Sequence, residues 1–388
     1  MKIAIFTDTF IPKYDGIVTA TLNLAKGIAD RGHKIYIIAP KSQKRIKEFK
    51  YKNIKVIRVP SISARFYPGL RITNILSIKL MKYLKKEGIN LIHFTTPMTL
   101  GLQAILISKA LKIPLIGTFH VFFADEQYLK HGKLNFKSIQ KIMWAYSRMF
   151  YNSCDLVTSP AETTKKEILS HGFKENIKVI SNGIDPKKFI NSKYKEVRKK
   201  YNKSGNLLLF VGRIAHEKNI FYLLECFSKV INKMPKTKLL VIGDGPQMKE
   251  VKQKIDLLNL KNNIILTGKI DYNTLVKSSI FKACDLFVTA SVTENQPMTI
   301  LEAQMNGLPC VTISERGMKD LIKNGYNGYL VQNGDKNGFA NSILKILANK
   351  KLFKKMQKNT LESIKKHYLD KIIDEWEREY SNLINNYK

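Results

Sequence analysis

Residues 286–303 read Leu286-Phe287-Val288-Thr289-Ala290-Ser291-Val292-Thr293-Glu294-Asn295-Gln296-Pro297-Met298-Thr299-Ile300-Leu301-Glu302-Ala303. A short apolar run that suits a buried strand passes through a polar loop into a helix. Glu294 lies in the loop, and Glu302, eight residues on, lies inside the new helix. Amide groups left unsatisfied at a helix start bind anionic or hydroxyl oxygens. Carboxylates beside them accept hydrogen bonds from hydroxyls such as those of a sugar. Taken alone, two glutamates at this spacing are ordinary helix charges. Their place after Cys284-Asp285 and the strand, and before Gln304-Met305-Asn306-Gly307-Leu308-Pro309, favours a binding loop.

The same strand-then-helix order recurs in both directions. Strand-like runs stand at Ile3–Phe6, Ile35–Ala39, Leu91–Phe94, Leu115–Thr118, Leu156–Thr158 and Val179–Ile180. They return at Leu207–Val211, Leu239–Ile242, Ile264–Thr267 and Cys310–Thr312, with amphipathic segments such as Thr19–Arg31 and Asn219–Met234 between them. Strands alternating with helices of this length predict parallel sheets covered on both faces. At 388 residues the chain suits two domains. The break is expected near Asp185–Gly205, with residues 1–185 forming one α/β domain and 186–365 the other. A helical tail over 366–388, carrying Trp376 and Tyr380 on one face, is expected to pack back onto the first.

Composition narrows the class. Hydrophobic residues make up 44% and charged residues 25%, which is globular rather than disordered. The net charge of +35 calls for an acidic partner or a solvated surface, and the excess is denser toward the front. Cys154, Cys226, Cys284 and Cys310 are scattered without metal-ligand spacing and read as small buried packing in a reducing compartment. The chain opens on a strand rather than a signal peptide, and no run reaches the ~18 apolar residues of a membrane span. The expectation is a cytoplasmic protein, soluble or bound at a surface.

Three further loops carry chemistry. In Gly212-Arg213-Ile214-Ala215-His216-Glu217-Lys218, Gly212 permits a tight backbone, and Arg213 and Lys218 suit a diphosphate. Gly243-Asp244-Gly245-Pro246 and Thr267-Gly268-Lys269-Ile270 suit tight turns, the latter presenting backbone groups to a nucleotide base. At the front, Gly16 in Thr7–Thr19 lets backbone approach a phosphate or acceptor closely. No Gly-x-Gly-x-x-Gly dinucleotide fingerprint is present.

The ordered set of front Gly loop, Gly-Arg-x4-Lys, Gly-Asp-Gly-Pro, Thr-Gly and E-x7-E, with Ser181-Asn182-Gly183-Ile184-Asp185, resembles the GT4 family of retaining glycosyltransferases over nearly the whole chain. The resemblance implies a GT-B fold, two Rossmann-like doubly wound domains facing a central cleft. It further implies a nucleotide-sugar donor (UDP- or GDP-linked) and no metal or other cofactor, in keeping with the lack of Asp-x-Asp. By resemblance Glu302 holds the ribose hydroxyls, Glu294 the donor sugar, and Arg213 and Lys218 the diphosphate. Gly16, Gly212, Gly268, Lys269 and Ile270 would complete the donor site with the loop Asn295, Gln296, Pro297, Met298 and Thr299. His120, ending the strand before it, matches a position near the reacting sugar. The chain departs from the family in having Asn295-Gln296-Pro297-Met298 where many members have a glycine beside the sugar.

The Thr293-Glu294-x-Gln296 form and the opening Ile5–Pro12 resemble the lipid-directed branch, diacylglycerol glucosyltransferases in particular. A physical pattern agrees. In Arg71–Leu84 the residues Ile72, Ile75, Leu76, Leu80 and Tyr83 recur at helical spacing beside Arg71, Lys79, Lys82, Lys85 and Lys86, with Arg65, Phe66 and Tyr67 just ahead. A second segment, Lys137–Phe150, carries Ile139, Ile142, Met143, Tyr146, Met149 and Phe150 with Trp144 beside them. Basic amphipathic helices of this kind bind anionic membrane surfaces, although both are also compatible with packing on the first sheet. The expected partners are a nucleotide-sugar donor, an anionic membrane surface and a lipid acceptor, with peripheral attachment to the inner face of the cell membrane. Other acceptors (a phosphoinositide, a polyprenyl-linked sugar or a glycan) remain open. Nucleic-acid binding is disfavoured, since no zinc-ligand set, RNP motif or Gly-x-x-Gly clamp accompanies the lysines. A nucleotide-sugar epimerase would share the architecture but not the transfer to an acceptor.

Overall fold

The structure is a computed structural model that describes residues 1–42, 48–63, 71–122, 136–189 and 191–387. It divides the chain into one unit of residues 1–183 with 369–388 and a second of residues 184–368. The break therefore falls two residues earlier than the sequence pattern suggested, and the return falls at Leu369 rather than 366. Within the stretch where the break was expected, Tyr194–Asn202 form a helix of the second unit.

In the first unit, runs of Ile, Leu and Phe buried on both faces form β1 (Lys2–Phe6), β2 (Lys34–Pro40), β6 (Leu91–Phe94), β7 (Leu115–Thr118) and β8 (Leu156–Ser159). Two edge strands join them, β3 (Ile54–Val59) and β9 (Ile177–Val179), in a parallel sheet ordered β3-β2-β1-β6-β7-β8-β9. A separate antiparallel pair is made by β4 (Ser61–Ser63) and β5 (Arg71–Thr73). The helices used below are α1 (Gly16–Asp30), α2 (Ile78–Glu87), α3 (Thr99–Leu111) and α4 (Phe136–Tyr151). Asp15 caps α1 by accepting from the Val18 amide at 3.0 Å.

The second unit repeats the plan with β10 (Leu207–Val211), β11 (Lys238–Ile242), β12 (Ile264–Gly268), β13 (Leu286–Thr289), β14 (Cys310–Ile313) and β15 (Gly328–Val331), all parallel, in the order β12-β11-β10-β13-β14-β15. Helices α5 (Tyr194–Asn202), α6 (Ile220–Lys233) and α7 (Met298–Met305) belong to this unit. Strand β15 begins with a glycine for a steric reason: a Cβ on Gly328 would sit 2.1 Å from the Cys310 carbonyl oxygen across the ladder. All four cysteines are free and buried.

Helix α8 (Leu369–Asn386) returns the chain to the first unit, where it packs on α1. Its apolar face buries Ile372, Ile373, Trp376 and Tyr380. Arg31 pairs with Asp374 and, at 2.7 Å, with Glu377, while His33 Nε2 lies 2.7 Å from the same Glu377. At the centre of the contact, the Tyr380 hydroxyl meets His93 Nδ1 at 2.8 Å, and His93 Nε2 meets Thr118 Oγ1 at 2.6 Å. Burial pushes the His93 pKa down to about 3, which keeps the imidazole neutral within this chain of hydroxyls.

The closeness of α1 and α8 depends on Gly27, where an added Cβ would lie 2.3 Å from Ile373 Cγ1. Gly27→Ala should destabilise the protein by about 1–3 kcal/mol through overpacking, read as a lower urea midpoint. Adding Ile373→Val should recover part of that loss; purely additive destabilisation would place the strain elsewhere.

Candidate active site

In each sheet the winding reverses between two central strands, and the loops that follow those strands open side by side there. In the second unit the two strands are β10 and β13. The loop after β10 carries Gly212, Arg213 and Lys218; the loop after β13 carries Ser291 through Pro297. The topology therefore places Lys218 against Glu294, and the two form an ion pair. Ser291 Oγ stands 2.9 Å from Glu294 Oε1, and the Val292 amide donates to the Glu217 carbonyl at 3.1 Å. Arg213 is exposed on the same loop as Lys218.

Both loops rest on glycines whose reason is close approach. A Cβ on Gly243 would lie 1.8 Å from the Gly212 carbonyl oxygen, and one on Gly245 would lie 2.3 Å from that of Ile214. Gly-Asp-Gly-Pro, generic as a turn sequence, is thus the bed on which the Gly212–Lys218 loop lies, held by Ile214 N to Asp244 O at 3.1 Å. On the other side, a Cβ on Gly317 would fall 1.4 Å from the Asn295 carbonyl oxygen, while its amide donates to the Glu294 carbonyl at 3.2 Å. Gly268 takes a left-handed φ of +70 at the end of β12, with Lys269 exposed and Ile270 half-buried after it.

Asn295, Gln296 and Met298 are buried, Thr299 is half-buried, and Pro297 stands at the N-cap of α7 with no side-chain cap. Glu302, one turn into α7, is also buried. Burial raises its carboxyl pKa to about 8 against a hydrogen bond from Tyr272 and the charge of Lys188, which lower it. Tyr272 and Ser291 are the second-unit residues that sequence reading missed, because neither spacing nor composition marks a side chain that acts by touching another.

In the first unit the corresponding reversal lies between β1 and β6. Asp8, just past β1, accepts from Thr96 Oγ1 at 2.8 Å, Thr99 Oγ1 at 3.1 Å and the Leu100 amide at 2.9 Å, tying the front loop to the start of α3. Burial raises the Asp8 pKa to about 6. Arg58, at the end of the unforeseen strand β3, donates to the Ile11 carbonyl at 2.9 Å and to Glu48. The front loop is therefore anchored at both ends before it reaches Gly16, the first residue of α1. His120 follows β7 and lines a small cavity with His93, Thr118, Thr21, Asn182 and Trp376. Its surroundings hold its pKa down to about 4, so the ring is neutral at neutral pH.

The basic segments differ from expectation. Arg71 lies in β5 rather than a helix, and its guanidinium donates to Ser61 Oγ at 2.8 Å and to the Ser61 carbonyl at 2.6 Å. The helix starts later, at Ile78, and turns Leu80 and Leu84 into the core. Lys79, Lys82, Lys85 and Lys86 are exposed, as are Ile75 (52%), Leu76 (51%) and Ile78 (58%). On α4 the expected single face is divided, with Phe150 buried and Ile142 and Met149 exposed. Trp144 is half-buried, stacked on His171 at 3.8 Å and on Phe119 at 6.4 Å, and packs against the core. Arg65 and Phe66 lie outside the described residues. Among the described residues no group of His, Cys, Asp and Glu is placed to hold a metal, and no helix is long and apolar enough to cross a membrane.

Two doubly wound parallel sheets, with cationic and carboxylate side chains gathered at the reversal point of the second, are the arrangement of the GT-B fold. Residues 14–188 match the Glycosyltransferase Family 4 domain, and residues 191–363 match Glycosyl transferases group 1. An alpha-monoglucosyldiacylglycerol synthase of Streptococcus pneumoniae is 29% identical over 96% of this chain and 86% of its own length. The Escherichia coli UDP-Gal:alpha-D-GlcNAc-diphosphoundecaprenol alpha-1,3-galactosyltransferase is 30% identical over 71% of this chain and 70% of its own. Among solved structures, the sucrose-phosphate synthase of Thermosynechococcus elongatus superposes with a TM-score of 0.80 at 18% identity, covering 99% of both chains. The Anabaena HepE protein in complex with UDP-glucose gives 0.76 at 19%, covering 98% and 100%. The chain belongs to glycosyltransferase family 4.

A carboxylate with a pKa of about 8 is mostly protonated at pH 7, whereas an ionised one accepts both hydroxyl protons of a ribose diol. If Glu302 meets the ribose, UDP affinity should rise between pH 7 and 8.5, by at most about tenfold per unit below the pKa, and then level off. Titration calorimetry on Glu302→Gln should show weaker binding without that slope. An identical slope in the variant would assign the titration to another group.

Proposed function

We propose that the protein transfers a hexose from a nucleotide-sugar, glucose from UDP-glucose, to a membrane lipid such as diacylglycerol, forming an α-glycosyl lipid without a metal. The observation that carries the donor half is the meeting of Lys218 and Glu294 at the sheet reversal beside Arg213. Arg213 and Lys218 stabilise the diphosphate as negative charge develops on the departing oxygen, and the amides opening α7 add to that field. Glu294 accepts from the sugar hydroxyls, and Glu302 accepts from the ribose. The acceptor oxygen bonds to the anomeric carbon on the face from which the diphosphate leaves. The acceptor proton passes to a donor phosphate oxygen, so configuration is retained and no carboxylate base is required. His120, neutral at neutral pH, contributes a hydrogen bond near the reacting sugar rather than a charge.

The lipid half rests on the first unit. Ile75 and Leu76, ahead of α2, and Ile78, its first residue, stand exposed, and Lys79, Lys82, Lys85 and Lys86 follow on the helix. Apolar residues beside a row of lysines suit the boundary of an anionic bilayer. The relatives named as alpha-monoglucosyldiacylglycerol synthases from Streptococcus pneumoniae and Acholeplasma laidlawii support a diacylglycerol acceptor. On this reading the enzyme works at the inner face of the cell membrane, attached peripherally. A second reading, transfer to a polyprenyl-linked sugar, is favoured by the Escherichia coli relative.

Radiolabelled UDP-glucose mixed with vesicles of diacylglycerol in anionic phospholipid, in the presence of EDTA, tests the whole. Label should move into the lipid phase. Donor binding without transfer would keep the donor site and point to a polyprenyl-linked acceptor, while a requirement for divalent metal would overturn the metal-free mechanism.

Each lysine near an anionic surface contributes about 1 kcal/mol. Changing Lys79, Lys82, Lys85 and Lys86 together to Ser should therefore weaken binding to anionic vesicles at least about tenfold at low salt, with neutral vesicles unaffected. Undiminished vesicle binding would leave the lysines as solvated helix charges.

A further inference from the structure

We infer that Ser291 positions Glu294 for the donor sugar, taking over from Lys218 when that lysine engages the diphosphate; the inference rests on the donor reading above. Ser291 is 1% exposed, two residues past the end of β13. Its hydroxyl proton has two acceptors within reach, the Glu217 carbonyl at 3.0 Å and Glu294 Oε1 at 2.9 Å. A hydroxyl has one proton, so it serves one of them at a time. Lys218 pairs with the same Oε1. Oε1 of Glu294 thus has two donors in reach, Lys218 in the ion pair and the Ser291 hydroxyl as the alternative, which leaves Oε2 as the oxygen to accept from a sugar hydroxyl.

The two holders differ in what donor binding does to them. Lys218 is a flexible cation with a competing partner of higher charge, the diphosphate. Ser291 is fixed by the backbone contact between its own loop and the Gly212–Lys218 loop, where the Val292 amide and the Ser291 hydroxyl both address the Glu217 carbonyl. When Lys218 turns to the phosphates, the Ser291 proton moves from the Glu217 carbonyl to Oε1 and keeps the carboxylate in place. Ser291 is a positioning residue: it touches neither sugar nor phosphate and acts through Glu294.

The test separates sugar from nucleotide. Ser291→Ala should bind UDP within about twofold of wild type, because UDP has no sugar for Glu294 to hold. Its affinity for UDP-glucose and its kcat/KM should fall about tenfold, the scale of one hydrogen bond to a charged group. Ser291→Thr, which keeps the hydroxyl, should recover most of the loss, and Ser291→Cys offers a near-isosteric weak donor if the alanine variant fails to fold. In a Glu294→Gln background, Ser291→Ala should change UDP-glucose binding by less than about twofold, since the residue acts only through Glu294. Additive losses in that background, or equal losses for UDP and UDP-glucose, would overturn the assignment. Wild-type protein that binds UDP but not UDP-glucose would overturn the donor reading and this role with it; wild-type binding with an unaffected alanine variant would overturn this role alone.

Discussion

A parallel sheet built outward in both directions from its centre leaves one place where two neighbouring strands send their loops to opposite faces. Everything chemical in the second unit depends on that place. Gly212 through Lys218 follow β10 and Ser291 through Pro297 follow β13, strands separated by more than seventy residues of chain but adjacent in the sheet. The ion pair of Lys218 with Glu294 forms because the ladder puts the ends of those two strands beside each other. Three glycines then permit the backbone approaches that fix the loops: 243 and 245 beneath the first and 317 against the second. A side chain at any of them would move a loop before it touched a ligand.

The site also holds its two glutamates in different ways. Glu302 is buried with a carboxyl pKa near 8, and Glu294 is held by a lysine that the donor reading assigns to phosphate. A buried carboxyl without enough partners costs stability, and groups perturbed in this way cluster at functional sites. The first unit shows the contrasting case. Asp8 is just as buried, but two hydroxyls and a helix-end amide satisfy it, and its work is to hold the front loop against α3.

Much of this was legible in the sequence, for identifiable reasons. Strands such as Ile3–Phe6 and Leu207–Val211 are buried on both faces and read as unbroken apolar runs, so their positions were plain. Two edge strands were not: Ile54–Val59 interleaves Lys55 and Arg58 with its apolar residues, and Gly328–Val331 opens on a glycine whose Cβ would meet the Cys310 carbonyl. The helix expected over Arg71–Leu84 is part strand because Arg71 finds better partners in Ser61 than in solvent, a long-range contact that local periodicity does not record. The stacking of Trp144 on His171 is likewise a contact that the spacing of its neighbours does not record. The loops that bring Lys218 to Glu294 were legible because each follows a plainly apolar strand. Ser291 and Tyr272 were not, since their roles lie in contacts with other side chains.

Helix α8 belongs to the first unit although all of the second lies between it and the rest of that unit. On the ribosome, the second unit therefore emerges whole while the first still lacks one of its walls. Until residues 369–386 have been made, the apolar face of α1 and the imidazole of His93 have no cover from Ile373, Trp376 and Tyr380. Chains usually complete their leading domain first. Here the first unit is finished after the second, and in its nascent form it exposes a strip of apolar surface for the time it takes to synthesise the second.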